Sequence, residues 1–203
     1  MFRCAQPILP LLALLAVWSG AALAAQPGSI FLRYEVTGGP GLHFLTLQVN
    51  VDQSPERYSL AVDAETRGIA DLFVDLRSRL EARGRIVGDR LLPEAMRAET
   101  HRRGVDFHTR VDYGADGSVT AEATPAPTRP VTPVSPAQMR GAVDQLTAYL
   151  LTARRLAARG SCALALPVFD GRRRYDLSFT DLPSEVLSGL RGETGFARCG
   201  AAD

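Results

Sequence analysis

Three histidines, a pair of cysteines in the second half of the chain and a run of three arginines are the residues whose types could do chemistry. A metal site needs three or four ligands at workable spacing, and His43, His101 and His108 show no such spacing. His101 and His108 flank Arg103-Gly104, so a hairpin there could bring two imidazoles together, but a third ligand is not apparent. There is no Gly-x-Ser-x-Gly elbow for a serine nucleophile and no glycine-rich loop ahead of a helix to cradle phosphate. Cys162 lies near no thiol-protease signature, and the carboxylates are scattered. Arg172-Arg173-Arg174 could hold an anion, but along a strand its side chains alternate between faces, so it reads mostly as an exposed edge. No residue here is a candidate catalytic group, metal ligand or cofactor contact, and the expectation is a protein that is not an enzyme.

Cys162 and Cys199 are most economically read as one disulfide. Closing a loop of that length would stabilise the fold by roughly 4 kcal/mol in the chain-entropy model. A metal site or a redox thiol pair are the rival readings, and neither cysteine sits in a Cys-x-x-Cys motif or beside a histidine. A disulfide requires an oxidising compartment, and the N-terminus supplies a route to one. Arg3 precedes an apolar stretch from Ile8 to Val17, and Ala22-Leu23-Ala24 offers an Ala-x-Ala site, so a Sec-type signal peptide cleaved between Ala24 and Ala25 is expected. The alternative is an uncleaved anchor, but Pro10 and Ser19-Gly20 interrupt a segment that would need about 20 apolar residues to span a membrane. Cys4 precedes the apolar run, so it is not a lipoprotein cysteine, and there is no twin-arginine pair.

The remaining chain, Ala25 to Asp203, is long enough for one domain with a real core. Its basic side chains are all arginine and balance its acids, so charge points to neither nucleic acid nor an anionic membrane as a partner. The missing lysine is best read as genome bias rather than as a guanidinium-rich binding surface. No second apolar run approaches spanning length, so no transmembrane span is expected once the signal is removed.

Period-two alternation predicts the elements that must carry these residues. Ile30, Leu32, Tyr34 and Val36 share one face; after the Gly38-Gly39-Pro40-Gly41 turn, His43, Leu45, Leu47, Val49 and Val51 share another. Tyr58, Leu60, Val62 and Ala64 oppose Arg57, Ser59, Asp63 and Glu65. These strands read as a meander with one wet and one apolar face. A short helical turn at Gly68 to Phe73 follows, then a strand from Leu76 to Ile86 whose small inner residues Ser78, Ala82 and Gly84 imply curvature or close backbone approach. Leu92 to Arg102 is a less regular strand, and Val105 to Tyr113 a clear one, turning at Ala115-Asp116-Gly117 into Val119 to Ala123.

Pro125, Pro127, Pro130, Pro133 and Pro136 mark a connecting loop, which could also dock a partner through extended proline spacing. The spacing of Leu146, Leu150, Ala153 and Ala157 predicts a helix from about Asp144 to Arg159, with Asp144 as N-cap and Gly160 at its end. Leu164 to Phe169 and Arg172 to Phe179 then form a hairpin about a two-residue Asp170-Gly171 turn.

The chain resembles the bacterial envelope proteins grouped as DUF3108, a family of unknown function. The likeness runs through Tyr34-Glu35-Val36, Thr66-Arg67-Gly68-Ile69-Ala70-Asp71-Leu72, Leu92-Pro93-Glu94, Val143-Asp144-Gln145-Leu146-Thr147 and the Cys162 strand. Its most specific piece is Val168-Phe169-Asp170-Gly171-Arg172-Arg173-Arg174-Tyr175. The resemblance implies a mainly β fold, a curved antiparallel sheet forming an open or spiral β-barrel with one covering α-helix, and carries no catalytic residues. Similar proteins continue past the second cysteine, which implies a possible truncation here and an unpaired sheet edge near Tyr175 to Phe179. The expected function is a non-enzymatic periplasmic protein binding a lipid or another hydrophobic envelope component. The alternative is a structural or assembly factor acting through contacts with an envelope protein.

Overall fold

The computed structural model describes residues 28–38, 42–126, 132–182 and the backbone of 199–202. The signal segment with Ala24 and Ala25, the turn at 39–41, and Pro127 and Pro130 lie outside the described residues.

Seven strands follow one another as an antiparallel meander: β1 (Gly28–Gly38), β2 (Leu42–Gln53), β3 (Arg57–Thr66), β4 (Leu76–Val87), β5 (Arg90–Arg102), β6 (Val105–Tyr113) and β7 (Val119–Thr124). Their spatial order equals their chain order, so β1 and β7 are the outer strands of an open sheet and are not paired with each other. The register keeps alternation in phase. Tyr34 pairs with Leu47, Leu47 with Ala64, and Ala64 with Ser78, while Arg33, Gln48, Asp63, Arg79 and Glu99 run in line across the opposite face.

Two local features adjust this sheet. Between Arg83 and Gly84 the register with β5 shifts by one residue, inserting Glu94 as a bulge. Tyr58 pairs with Gly84, and a Cβ there would lie 2.6 Å from the Tyr58 hydroxyl and 2.3 Å from the Leu92 carbonyl oxygen. Glycine is therefore required for the buried phenol ring to lie against β4. The short helix α1 (Ile69–Val74) bridges β3 and β4. Gly68 opens it at φ 59°, where an added Cβ would sit 3.1 Å from the His43 carbonyl oxygen.

After β7 comes a one-turn helix, α2 (Pro136–Met139), inside what reads from sequence as a plain proline loop. Ser135 and Gln138 form a capping box around Pro136 at the helix start, so the signal was present in Ser135-Pro136-Ala137-Gln138. The long helix α3 (Gln145–Arg159) has the expected caps, Asp144 at its start and Gly160 in the left-handed conformation at its end. A second sheet has the order β10 (Cys199–Ala202), β9 (Arg174–Asp181), β8 (Leu164–Phe169).

Two expectations change. The hairpin between β8 and β9 closes over four residues, 170–173, because Phe169 pairs with Arg174. Asp170 Oδ1 accepts the amides of Arg172 and Arg173, so its side chain organises a wider turn than a two-residue one. Nor is β9 an open edge at Phe179: β10 covers it from Ser178 to Asp181.

Three apolar clusters form the core, all on one side of the large sheet. Tyr58, Leu60, Ala82 and Leu91 meet Leu146 and Leu150 of α3. Val143 and Ala148 meet Val168, Leu177 and Phe179 of the small sheet. Met96 and Val111 meet Ala142 and Phe169. The helix and small sheet thus cover the β3 to β6 part of the apolar face and leave β1 uncovered.

Candidate functional site

On the polar face, cross-strand register decides which charges meet. The Arg103-Gly104 turn forms as expected, but His101 lies opposite Asp106, and His108 opposite Glu99. The two imidazoles are therefore diagonal neighbours rather than facing ligands. His101 Nδ1 is 2.7 Å from Asp106 Oδ1 and Nε2 is 3.2 Å from Asp75 Oδ2, so both ring nitrogens are held by carboxylates. The Asp106 hydrogen bond chiefly, with help from Asp75, pushes the His101 pKa up against a smaller opposing effect of burial. His43 sits apart on β2, with its Nε2 3.0 Å from Thr46 Oγ1.

Around His101 the face forms a cleft of about 450 Å³ lined by Asp63, Glu65, Arg77, Arg79 and Glu99. Its charges largely neutralise one another. Arg79 reaches both Asp63 and Glu81, and Arg67 is bonded to Glu65. Among the described residues no group of three His, Cys, Asp or Glu side chains is placed to hold a metal ion. A face of alternating, mutually paired signs is what solvates a sheet, and exposed pairs of this kind contribute little each.

A buried polar relay lies on the other face, beneath the start of α3. Asp144 is fully buried. Its Oδ1 accepts the Thr147 amide at 2.9 Å and its Oδ2 the Thr147 hydroxyl at 2.6 Å. The Tyr58 hydroxyl, 2.8 Å from Thr147 Oγ1, then donates to it, since the Thr147 proton is committed to Asp144. Burial pushes the Asp144 pKa up, against the lowering effect of the Thr147 hydrogen bonds. Burial likewise raises the pKa of Tyr58 and of Tyr113, and the Asp144 charge adds to both. The chain Tyr58, Thr147, Asp144 fixes where α3 starts and at what depth it meets β3.

The other sequence-marked residues are also structural. Phe169 is buried against Met96 and Val111, and Gly171, at φ 94°, would place a Cβ 2.3 Å from Thr109 Cγ2. Phe169-Asp170-Gly171 is thus the knuckle that seats the small sheet on β6. The arginine run is divided: Arg172 donates to the Pro125 carbonyl, and Arg174 pairs with Asp176. The Cys162 amide donates to Asp181 Oδ1 at 2.8 Å, and Asp181 is the register partner of Cys199. The Cys199 side chain lies outside the described residues.

What sequence reasoning missed is the uncovered strand. Ile30, Leu32, Tyr34 and Val36 of β1 are 41 to 51% exposed on the apolar face, and Phe31 is 60% exposed on the other. Alternation marked the first four as inward-facing, but could not say that α3 stops short of them. Phe31 was the available signal, a large apolar residue on the polar side. At the end of the sheet where β1 meets β2, Leu42 and the α1 residues Leu72 and Phe73 are also exposed.

A family model described as "Protein of unknown function (DUF3108)" matches residues 33–198. The chain belongs to the DUF3108 family. The match takes in the second half of β1 from Arg33, the rest of the large sheet, α3 and the small sheet up to β10, while Ile30, Phe31 and Leu32 precede it. No curated protein and no solved structure matches the chain. Among the described residues no helix is long and apolar enough to cross a membrane.

Proposed function

We propose that this DUF3108 chain is an exported, non-enzymatic envelope protein that works by docking another protein along β1. The observation that carries this is a single one: the outermost strand of the large sheet exposes large apolar side chains on both of its faces. A row of exposed apolar side chains on one face, with Phe31 on the other, matches a surface that a partner covers. An edge that pairs with no other strand among the described residues also templates strand addition.

The periplasm is the compartment that fits, reached by Sec export with cleavage between Ala24 and Ala25. There Cys162 and Cys199 would form a disulfide tying the segment that leads into β8 to β10, a pairing favoured by the shared neighbour Asp181. On this reading the open barrel is a sheet whose free lips are β1 and β7, and an added strand at β1 would extend it.

A lipid ligand is the second reading, favoured by the apolar shelf that β1 and the half-buried Leu45, Leu47 and Val49 of β2 make beside α3. It is weaker because sites for small molecules bury most of their ligand. Here the space under α3 is filled by side chains, and the clefts beside Asp63, Arg79 and Glu99 and beside Glu81, Arg83 and Arg97 lie among charges on the other face.

Leu32→Asp tests the proposal. Leu32 is exposed, so the variant should keep its circular dichroism and thermal midpoint. The parent in gentle envelope extracts should migrate within a larger assembly, and the variant as a monomer. Equal migration of two folded proteins would overturn the docking reading. Native mass spectrometry of the parent separates the two readings, since a bound lipid adds a lipid mass and a protein partner adds a protein mass.

A further inference from the structure

We propose that the strand that docks on β1 is β1 of a second copy of this chain, paired antiparallel about a two-fold axis at Tyr34. This rests on the docking reading above and names its partner. Charge complementarity along the edge selects this partner. On its polar face β1 carries Arg33 and Glu35, whose side chains bond each other at 3.1 Å and are both about half exposed.

Consider the registers open to two such strands. With Tyr34 opposite Tyr34, each Arg33 faces the other copy's Glu35, and both charges gain a second, opposite partner across the seam. Leu32 then faces Val36, and Ile30 faces Gly38, so the apolar face continues unbroken into the second sheet.

Neighbouring registers fail. Shifting by two residues along one strand places Arg33 against Arg33 or Glu35 against Glu35, and like charges directly opposite are destabilising. Shifting by one sets an apolar face beside a charged one, because side chains alternate with period two. Parallel pairing in register also puts like charges together. Tyr34-centred pairing is therefore selected by repulsion as well as attraction.

The strand is regular enough to do this. Its irregularity with β2 between Val36 and Thr37 places the extra residue, Phe44, on β2 and leaves β1 continuous. β1 contains no proline to block hydrogen bonding, and no lysine to guard its edge. An isologous contact of this kind closes on itself as a dimer.

Charge exchange in the full chain tests the pairing. Arg33→Glu alone and Glu35→Arg alone each turn two attractive cross-seam pairs into two repulsive ones. Sedimentation equilibrium should show the dimer weakened about tenfold in either single variant. The double exchange, Arg33→Glu with Glu35→Arg, restores both pairs and should restore association. A different partner, whose own charges are unchanged, gives no such rescue. Tyr34→Cys should form an intermolecular disulfide on mild oxidation, since the two Cα atoms directly opposite are about 5 Å apart. Leu32→Cys, which faces Val36, should form no more than the parent chain.

Failure of rescue, or equal crosslinking at positions 32 and 34, overturns self-pairing. If Leu32→Asp still releases the chain from a larger assembly, docking on β1 stands with another protein as its partner. If that variant changes nothing either, both proposals fall.

Discussion

Asp144 carries the sharpest energetic contrast in the structure, because alanine there should be far more damaging than asparagine. Asp144→Ala removes the side-chain cap from the Thr147 amide at a buried helix start. Loss of a cap costs about 0.5–2 kcal/mol and a buried orphaned donor about 1–3 kcal/mol. Since the orphaned donor is the one the cap served, these overlap, and a loss of about 2–3 kcal/mol is expected. Asparagine is as good a cap as aspartate. Its carbonyl can take the Thr147 amide while its NH₂ donates to Thr147 Oγ1, which then donates to the Tyr58 hydroxyl. The relay reverses direction and keeps its links, while the Tyr58 proton loses its acceptor. That loss is offset by removal of a buried charge, so Asp144→Asn should cost about 1 kcal/mol at pH 7, less than alanine.

The same pair of variants has a pH signature. Burial raises the folded-state pKa of Asp144, so the folded protein holds that proton more tightly than the unfolded chain does. Its contribution is thus unfavourable above the folded pKa and fades as pH falls through that value toward the unfolded one. Relative to Asp144→Asn, the parent should gain stability over that descent. Urea denaturation of parent and both variants between pH 4 and 8 measures this. An alanine variant within about 0.5 kcal/mol of the parent, or an asparagine variant as damaged as alanine, would refute the relay.

Three further outcomes are expected. NMR titration should place the His101 imidazole above the ordinary histidine range, with Asp106→Asn lowering it more than Asp75→Asn does. Because that folded pKa is raised, any stability from His101 is fully present below the unfolded pKa and is lost as pH rises through the folded one. Gly84→Ala should cost about 2–4 kcal/mol by thermal unfolding, since its Cβ would collide with the Leu92 carbonyl and the Tyr58 ring. Phe169→Ala should cost about 3–5 kcal/mol, and amide exchange should rise first in the β8–β9 hairpin that it anchors on Met96 and Val111.

Strands with one wet face were legible because alternation survives wherever register is regular, as in Tyr58 to Ala64 against Ser78 to Gly84. β5 was obscure for a physical reason. The Glu94 bulge flips the phase, so Ala95 and Met96 are both buried in succession and no simple period fits. The Asp144 cap was readable from residue type, but its union with Tyr58, 89 positions earlier, depends on how α3 crosses β3. The same holds for the candidate site. Sequence marks Ile30, Leu32, Tyr34 and Val36 as one apolar face, yet only the footprint of α3 decides which apolar residues stay in water. The histidines illustrate the converse. Types and a turn suggested a facing pair, and a register set by the two-residue turn put carboxylates opposite each imidazole instead.

The claim that β1 is a docking strand is tested most directly by a photo-crosslinking amino acid placed at Leu32 in intact cells, with Arg110 on the charged face as control. Both positions are exposed enough to react with a neighbour. A docking strand at β1 gives a discrete protein adduct from position 32, of twice the chain's mass if the partner is a second copy, and none from position 110. No adduct from position 32, or the same products from both positions, would contradict it.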